Sequence, residues 1–424
     1  MRHIDTLVIG AGHAGLAMSR CLTDRSRDHV VLERGRLAER WRNERWSSMR
    51  LLTPNWMSRL PGWCYDGNDP DGYMTANEVV GYLARYARSF DAPVEVETTV
   101  VRVERAGDRF LVATDQGTWI ADQVVVATGH CDSPHVPAVA AGLSPSVHQI
   151  TPTAYRTPGS LPDGGVLVVG AAASGAQLAD ELARSGREAV LAVGRHTRLP
   201  RRYRGRDICW WLERLGVLDR TIDEMPNPER SRREPSLQLV GRPDKADLDL
   251  AALQDNGVRL AGRLTGVDGR TVHLGADLAA TTARADAGRR RLLAEIDDYI
   301  DANGLTAEVL DREPVHPVRA GGERGRLDLE SEGISTVVWA TGFRRRYPWL
   351  RIPVLDEAGE IRHWRGVTPV PGLYVLGLRF QHRRNSSFID GVRHDAEFIA
   401  THLAARDRLP VGIASARSET RDHA

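Results

Sequence analysis

The sequence contains few cysteines and almost no lysine. Its cysteines are Cys21, Cys64, Cys131 and Cys209, and no two of them have the CxxC or CxxxxC spacing of a redox dithiol. Thiols this few and scattered exclude a disulfide-stapled scaffold, and the missing pair argues against a disulfide reductase. Lys245 is the only lysine, so 56 of the 57 basic residues are arginines, and we attribute this to a coding bias rather than to function.

The chain also lacks an excess of either charge and a long apolar run. With 57 basic and 56 acidic side chains its formal charge is +1, which gives no bulk field to attract nucleic acid or an anionic membrane. The longest nearly apolar stretch, residues 166–179, contains Ser174 and Gln177, and Asp5 lies where a signal peptide would begin its apolar run. We therefore expect a cytoplasmic protein without a nucleic-acid or membrane partner. Its 424 residues suffice for two or three domains.

A glycine-rich turn follows the first apolar run. Residues 4–9 predict a strand, Gly10, Gly12 and Gly15 form the pattern GxGxxG, and residues 16–22 have helical periodicity. A second strand ends at Glu33, about 20 residues beyond the glycines, as a dinucleotide-binding βαβ unit requires. The glycines allow a tight turn, close approach to a pyrophosphate and close helix packing, and Glu33 can accept hydrogen bonds from ribose hydroxyls.

The same arrangement recurs at residues 165–195. Gly170 and Gly175 keep the first and third glycine positions, whereas Ala172 occupies the middle one and places a methyl group where the backbone should approach phosphate. After the next strand the acid is replaced by Arg195, whose guanidinium suits the 2′-phosphate of NADP. We infer two nucleotide sites, the first for FAD and the second for NADPH.

Two further buried-type strands, at residues 124–126 and 337–339, each lead into the tripeptide Ala-Thr-Gly. They predict the points where the chain passes between domains. The fold class is therefore α/β, with two nested Rossmann-type domains and the NADPH domain inserted into the FAD domain. The predicted segments are 1–155 for the first part of the FAD domain, 156–335 for the NADPH domain with an insertion at about 220–310, 336–410 for the return, and 411–424 for a flexible tail. We expect 220–250 to be an exposed excursion and 283–302 a helix.

These residues resemble the class B flavoprotein monooxygenases, the group of flavin-containing, indole-3-pyruvate and Baeyer-Villiger monooxygenases. The resemblance covers nearly the whole chain and is most specific to a CzcO-like bacterial branch. Beyond both Rossmann units and both Ala-Thr-Gly tripeptides, it depends on Trp41-Arg42 and on residues 46–61, 201–207, 372–377 and 387–392.

The resemblance implies an NADPH-dependent FAD monooxygenase acting on O₂ and a small organic substrate. Hydride passes from NADPH to FAD, a C4a-(hydro)peroxyflavin forms, and one oxygen atom goes to nitrogen, sulfur or a carbonyl carbon. A homodimer is left open. The FAD residues implied are Gly10, Gly12, Gly15, Glu33, Trp41, Arg42, Val100, Thr128 and Gly129. The NADPH residues implied are Gly170, Ser174, Gly175, Gln177 and Arg195.

The family fingerprint between the Rossmann units is degraded. The pattern Phe-x-Gly-x-x-x-His would place its histidine at Thr151, whereas His148 lies three residues earlier. His148 is a candidate catalytic residue, with a solvated loop histidine as the alternative. The degraded fingerprint leaves open an H₂O₂-forming oxidase or reductase, and a flavin-binding sensor without turnover is a further alternative.

Asn55 is the second catalytic candidate, because related monooxygenases place an amide near the flavin; a turn-forming asparagine after proline is the alternative. Other candidates are weaker. We expect Cys131, and His130 before it, to be bystanders, and the basic run 382–385 to contact substrate or an NADPH phosphate. No His, Cys or Asp cluster has metal-ligand spacing. The tryptophans that can line a substrate pocket, or more simply fill the core, are Trp210, Trp211, Trp339, Trp349 and Trp364.

Overall fold

A computed structural model describes residues 1–314, 316–319 and 325–407. The predicted flexible tail, 411–424, lies outside the described residues. The helices, numbered in chain order, are α1 (His13–Thr23), α2 (Glu39–Asn43), α3 (Ala76–Arg88), α4 (Ala173–Arg184), α5 (Ile208–Arg214), α6 (Pro228–Arg232), α7 (Leu250–Asp255), α8 (Leu278–Ala302) and α9 (Val392–Asp407).

The strands are also numbered in chain order. They are β1 (Arg2–Ile9), β2 (His29–Leu32), β3 (Arg59–Leu60), β4 (Trp63–Cys64), β5 (Val94–Glu95), β6 (Val100–Ala106), β7 (Arg109–Thr114), β8 (Gly117–Val126), β9 (Ser133–Pro134), β10 (His148–Ile150), β11 (Gly165–Val169), β12 (Ala189–Ala192), β13 (Thr197–Arg198), β14 (Arg202–Tyr203), β15 (Arg206–Asp207), β16 (Leu237–Gln238), β17 (Arg259–Ala261), β18 (Leu264–Asp268), β19 (Thr271–Leu274), β20 (Arg326–Asp328), β21 (Ile334–Trp339), β22 (Phe343–Arg344) and β23 (Leu373–Val375).

The first sheet carries the first glycine turn. Its order is β5-β2-β1-β8-β7-β6, with β23 also paired to β8. The central pairs β1–β2, β1–β8 and β8–β23 are parallel, whereas β6, β7 and β8 form an antiparallel meander. Parallel strands buried on both faces are typical of a Rossmann core. Helices α1, α3 and α9 cover one face, where Leu16, Tyr82 and Ile399 are fully buried.

The second sheet carries the second glycine turn and is entirely parallel. Its order is β10-β21-β11-β12-β17. The chain leaves the first sheet after β8, builds the second sheet, and rejoins the first at β23. This crossing confirms the predicted fold class of two nested Rossmann-type domains. Because β10 and β21 both belong to the second sheet, the predicted boundaries at 155 and 335 fall inside it, and we propose boundaries near 147 and 341 instead.

Helices α5 and α8 share an apolar cluster of their own. Helix α8 begins at Leu278, five residues before the predicted start, and it buries Leu293, Ile296 and Ile300 against α5, so the predicted helix is confirmed. The expectation that 220–250 is an exposed excursion is wrong in part. Leu239 is 1% exposed, and the buried Gln238 donates to the Ala171 carbonyl (2.6 Å), so this segment packs against the second glycine turn.

Candidate functional site

The two glycine turns have the same backbone geometry. Gly10 and Gly170 both have φ +106°, and a Cβ at either position would lie 2.8 Å from the Ala127 oxygen or 2.5 Å from the Ala340 oxygen. Both positions therefore require glycine. At Gly15 and Gly175 a Cβ would lie 1.8 Å from the carbonyl oxygen of the first glycine of the same turn, so these two glycines permit the helix to pack against the turn.

The middle position of each turn is the N-cap of the following helix. Gly12 has φ −80° and ψ −175°, and Ala172 has φ −76° and ψ −176°, so the alanine adopts the same conformation without strain. A Cβ on Gly12 would meet nothing within 4 Å. Neither helix has a side-chain cap, which leaves the first N–H groups of α1 and α4 free to bind an anionic group.

Glu33 ties the first turn to the second strand. Its Oε2 accepts from the Ala11 N–H (2.8 Å) and its Oε1 from the Gly35 N–H (3.2 Å), and the residue is only 8% exposed. Glu33 also lines the cavity into which both turns open. Since each carboxylate oxygen can accept more than one hydrogen bond, this placement leaves room for the predicted ribose contact.

Both turns open into one cavity of about 890 Å³. The cavity is bounded by the carboxyl ends of both sheets, which is where open α/β sheets bind ligands. Nine of the predicted cofactor residues line it, namely Gly10, Gly12, Glu33, Trp41, Val100, Thr128, Gly129, Ser174 and Arg195. Arg195 is exposed at the side of the cavity, and the Nη2 atom of Arg195 donates to the Arg233 carbonyl.

The other predicted cofactor residues do not line the cavity. Gly15, Gly170 and Gly175 have the structural roles within the turns that are described above. Arg42 is exposed, and its Nε donates to the Leu37 carbonyl (3.0 Å), so the prediction that it faces FAD is not supported by its placement. Gln177 is buried and donates to the Leu239 carbonyl (2.7 Å), which ties α4 to the segment before α7 rather than to a ligand.

Neither predicted catalytic residue reaches the cavity. Asn55 is 4% exposed, and its amide holds a loop together: Oδ1 accepts from Met74 N–H (2.7 Å) and Nδ2 donates to the Asp69 carbonyl (2.9 Å). His148 is exposed in β10, where it pairs in register with Thr336 of the second sheet. The placement of both residues favours the alternatives of a turn asparagine and a solvated histidine.

Two histidines line the cavity, of which the sequence analysis passed over His13 and expected His130 to be a bystander. His13 lies inside the first glycine turn, and His130 follows the first Ala-Thr-Gly tripeptide. The pKa of each is lowered to about 4, mainly by burial; His130 contributes to the lowering for His13, and the charge of Arg379 contributes for His130. Nε2 of His13 is buried without a hydrogen-bond partner. Both imidazoles are therefore neutral at physiological pH, and His13 has a free polar atom for a ligand.

Two arginines place positive charge in the cavity. Arg45 stacks over the Trp41 ring at 5.1 Å, and Arg379 follows β23. Burial lowers the pKa of both guanidiniums, and among the described residues neither lies within ion-pair distance of a carboxylate. A partly buried cation without an ion-pair partner is stabilised when an anion binds beside it. Together with the open turn at Gly12 and the uncapped helices, these charges fit the phosphates of two dinucleotides.

The remaining sequence candidates divide between cavity and core. Trp349 lines the cavity, whereas Trp210, Trp211, Trp339 and Trp364 do not, so most of these tryptophans are core or surface residues. Within the run 382–385 only Arg384 lines the cavity, where it forms an ion pair with Glu234. The bystander Cys131 also lines it, and burial raises the pKa of its thiol, so that it is not a thiolate.

Comparison with known proteins agrees with this geometry. The family model for pyridine nucleotide-disulphide oxidoreductases matches residues 7–213. A CzcO-like oxidoreductase of Geobacillus kaustophilus is 34% identical over 407 residues, covering 95% of this chain and 99% of its own length. A probable indole-3-pyruvate monooxygenase of Arabidopsis thaliana, YUCCA4, is 30% identical over 42% of this chain and 44% of its own. A flavin-containing monooxygenase from Stenotrophomonas maltophilia shares the fold with a TM-score of 0.68 at 20% identity, over 96% of this chain and all of its own.

The fold and the paired glycine turns define a flavin-dependent oxidoreductase with FAD and NAD(P)H as cofactors. Within that class, the chain belongs to the CzcO-like oxidoreductases. Among the described residues, no helix is long and apolar enough to cross a membrane. In the same part of the chain, no group of three or more His, Cys, Asp or Glu side chains is arranged to hold a metal ion.

Proposed function

We propose that the protein is an NADPH-dependent FAD monooxygenase that transfers one oxygen atom from O₂ to a small organic substrate. The observation that carries this proposal is that both dinucleotide turns open into a single cavity, so that two bound cofactors can meet in it. Bound FAD, once reduced by NADPH, would activate O₂, which the protein itself cannot do. The substrate determines whether the oxygen atom is transferred to nitrogen, to sulfur or to a carbonyl carbon.

The protein groups in this proposal bind and orient the cofactors. The free N–H groups at the start of α1, with Gly12 leaving open space, would hold the FAD pyrophosphate, and Glu33 the ribose. Arg45 and Arg379 would neutralise phosphate charge. The neutral His13 and His130 can accept or donate a hydrogen bond without adding positive charge beside these arginines.

Arg195 sets the proposed preference for NADPH over NADH. It is exposed and lines the cavity shortly after β12, the position at which a Rossmann unit binds the 2′ group of the ribose. A guanidinium–phosphate contact contributes roughly 1.5 to 3 kcal/mol, or about 10- to 100-fold in affinity. Arg195→Ala should therefore raise the KM for NADPH by about 10- to 100-fold and leave that for NADH within twofold.

The measurement is the steady-state rate at which the FAD-containing protein oxidises each nucleotide in the presence of O₂. Arg326→Ala is the matched control, because Arg326 is exposed, lies on β20 and does not line the cavity. Equal losses with NADPH and NADH in the Arg195 variant would refute this role for Arg195.

An H₂O₂-forming oxidase is the second candidate function. It is favoured by the position of His148, since the histidine of the degraded fingerprint lies on the exposed edge strand β10 and not at the cavity. The two functions differ in their products. The oxidase releases one H₂O₂ for each NADPH consumed whatever organic compound is present, whereas the monooxygenase consumes part of its NADPH in forming an oxygenated product.

A further inference from the structure

The central cavity extends beyond the two dinucleotide turns into a third region, here called the side chamber. One wall is formed by α5 and the turn after it, a second by α8, and a third by two segments of the first domain around Leu52 and Phe388. The side chains that line the cavity there also belong to the apolar cluster around α5. They are Leu52, Leu199, Cys209, Leu212, Val217, Leu218, Leu237, Leu239, Leu292 and Phe388.

The ten side chains that define the side chamber carry no charge. Nine of its ten side chains are hydrocarbon, and the tenth, the Cys209 thiol, is buried with its pKa raised to about 12 by desolvation, so it is neutral at physiological pH. A surface of this kind binds apolar groups by removing both surfaces from water, and it binds charged groups poorly.

The walls of the side chamber are held in place by Arg201. This guanidinium is fully buried; its Nη1 donates to the Leu52 carbonyl (2.7 Å) and its Nη2 to Asp207 Oδ1 (2.5 Å). Arg201 also lies over the Tyr73 ring, and the Tyr73 hydroxyl donates to Asp207 (2.7 Å). The first domain and the start of α5 are thereby fixed to each other, which makes the side chamber a preformed site.

An exposed ion pair lies between the insertion and α8. Arg220 and Glu295 both line the cavity, are about half exposed, and form an ion pair of 3.4 Å from one wall to the other. Arg284, Arg289 and Arg291 of α8 also line the cavity, so the apolar surface is the one formed by the ten side chains named above. Leu52 and Phe388 belong to the same domain as the first dinucleotide turn.

We infer that the side chamber is the substrate site and that it takes the apolar part of the organic substrate. This inference rests on the proposed function. The reacting atom would lie at the Leu52–Phe388 end, toward the first dinucleotide turn, with the hydrocarbon part extending toward α5 and α8. Substrates with a sizeable hydrocarbon group are therefore expected to bind better than small polar ones.

The test is calorimetric titration of the FAD-containing protein with a homologous series of methyl ketones, without NADPH. Each added methylene should lower the Kd about fourfold until the side chamber is full, and binding should have a negative heat-capacity change. A Kd that does not depend on chain length would overturn the inference. Because no turnover is involved, this result is independent of whether the protein is a monooxygenase or an oxidase.

Variants of α8 locate the binding site. Leu292→Trp fills the side chamber and should weaken binding of the longest ketones at least tenfold, whereas Leu292→Ala should allow one or two more methylenes before the gain stops. Ala294→Trp is the matched control, because Ala294 is exposed on the same helix and does not line the cavity. FAD content and thermal midpoint establish that each variant is folded. Equal effects of the two tryptophans would place the ketones elsewhere and overturn the inference.

Discussion

Asp395 on α9 should make the protein less stable as the pH rises. The residue is 1% exposed, and burial raises the pKa of its carboxyl from 3.8 to about 7, against smaller opposing effects of Ser386, Arg383 and Arg365. The folded state therefore binds a proton that the unfolded state has already released between these two values, so stability falls with increasing pH across that window. At about 1.4 kcal/mol for each tenfold step, the full cost above pH 7 is about 4 kcal/mol.

Asp395→Asn removes this titration while keeping the size of the side chain. Between about pH 5.5 and 8.5 the wild-type protein should lose about 2 kcal/mol of unfolding free energy relative to the variant. His382 Nδ1 lies 3.8 Å from Asp395 Oδ1, and burial lowers the pKa of that histidine. Urea unfolding of both proteins at a series of pH values measures the difference. Parallel pH dependences would refute the assignment of a raised pKa to Asp395.

Four further substitutions test the site and the residues that support it. Ala172→Gly should leave the KM for NADPH within twofold, because Ala172 already has the backbone conformation of Gly12; a large fall in KM would show that the methyl group obstructs the nucleotide. Arg201→Met should lower the unfolding free energy by roughly 3 to 5 kcal/mol, since it leaves Asp207 and the Leu52 carbonyl without their donor, and an unchanged urea midpoint would contradict this. Asn55→Ala should lower the unfolding free energy by about 1 to 3 kcal/mol. His148→Ala should change neither the unfolding free energy nor the ratio of H₂O₂ formed to NADPH consumed. A changed ratio would restore a catalytic role for His148.

The parts of the fold that the sequence predicts well are those with local signals. Gly10 and Gly170 need positive φ, so the two turns can be recognised without knowledge of the rest of the chain. The nested topology follows from the two strands that end in Ala-Thr-Gly. The exact boundaries do not, since β10 gains its place only by pairing with β21, nearly 190 residues later.

The side chains of the site were harder to predict because their environment is set by distant segments. Both polar atoms of the Asn55 amide form hydrogen bonds, to Asp69 and to Met74, and the sequence near Asn55 does not predict them. Arg379 becomes a buried cation of the cavity only through the return of the chain at β23. The side chamber combines α5, α8 and the first domain, and its walls come together only in the folded protein.

Rapid mixing of the NADPH-reduced protein with oxygenated buffer tests the central claim most directly. NADPH should bleach the FAD absorbance rapidly under anaerobic conditions. On mixing with O₂, the absorbance should change in a separate phase before the spectrum of oxidised FAD returns. When a ketone or thioether of suitable length is present, less than one H₂O₂ should form per NADPH. Direct return to the oxidised spectrum in one phase, with one H₂O₂ per NADPH whatever compound is added, would contradict a monooxygenase and establish the oxidase.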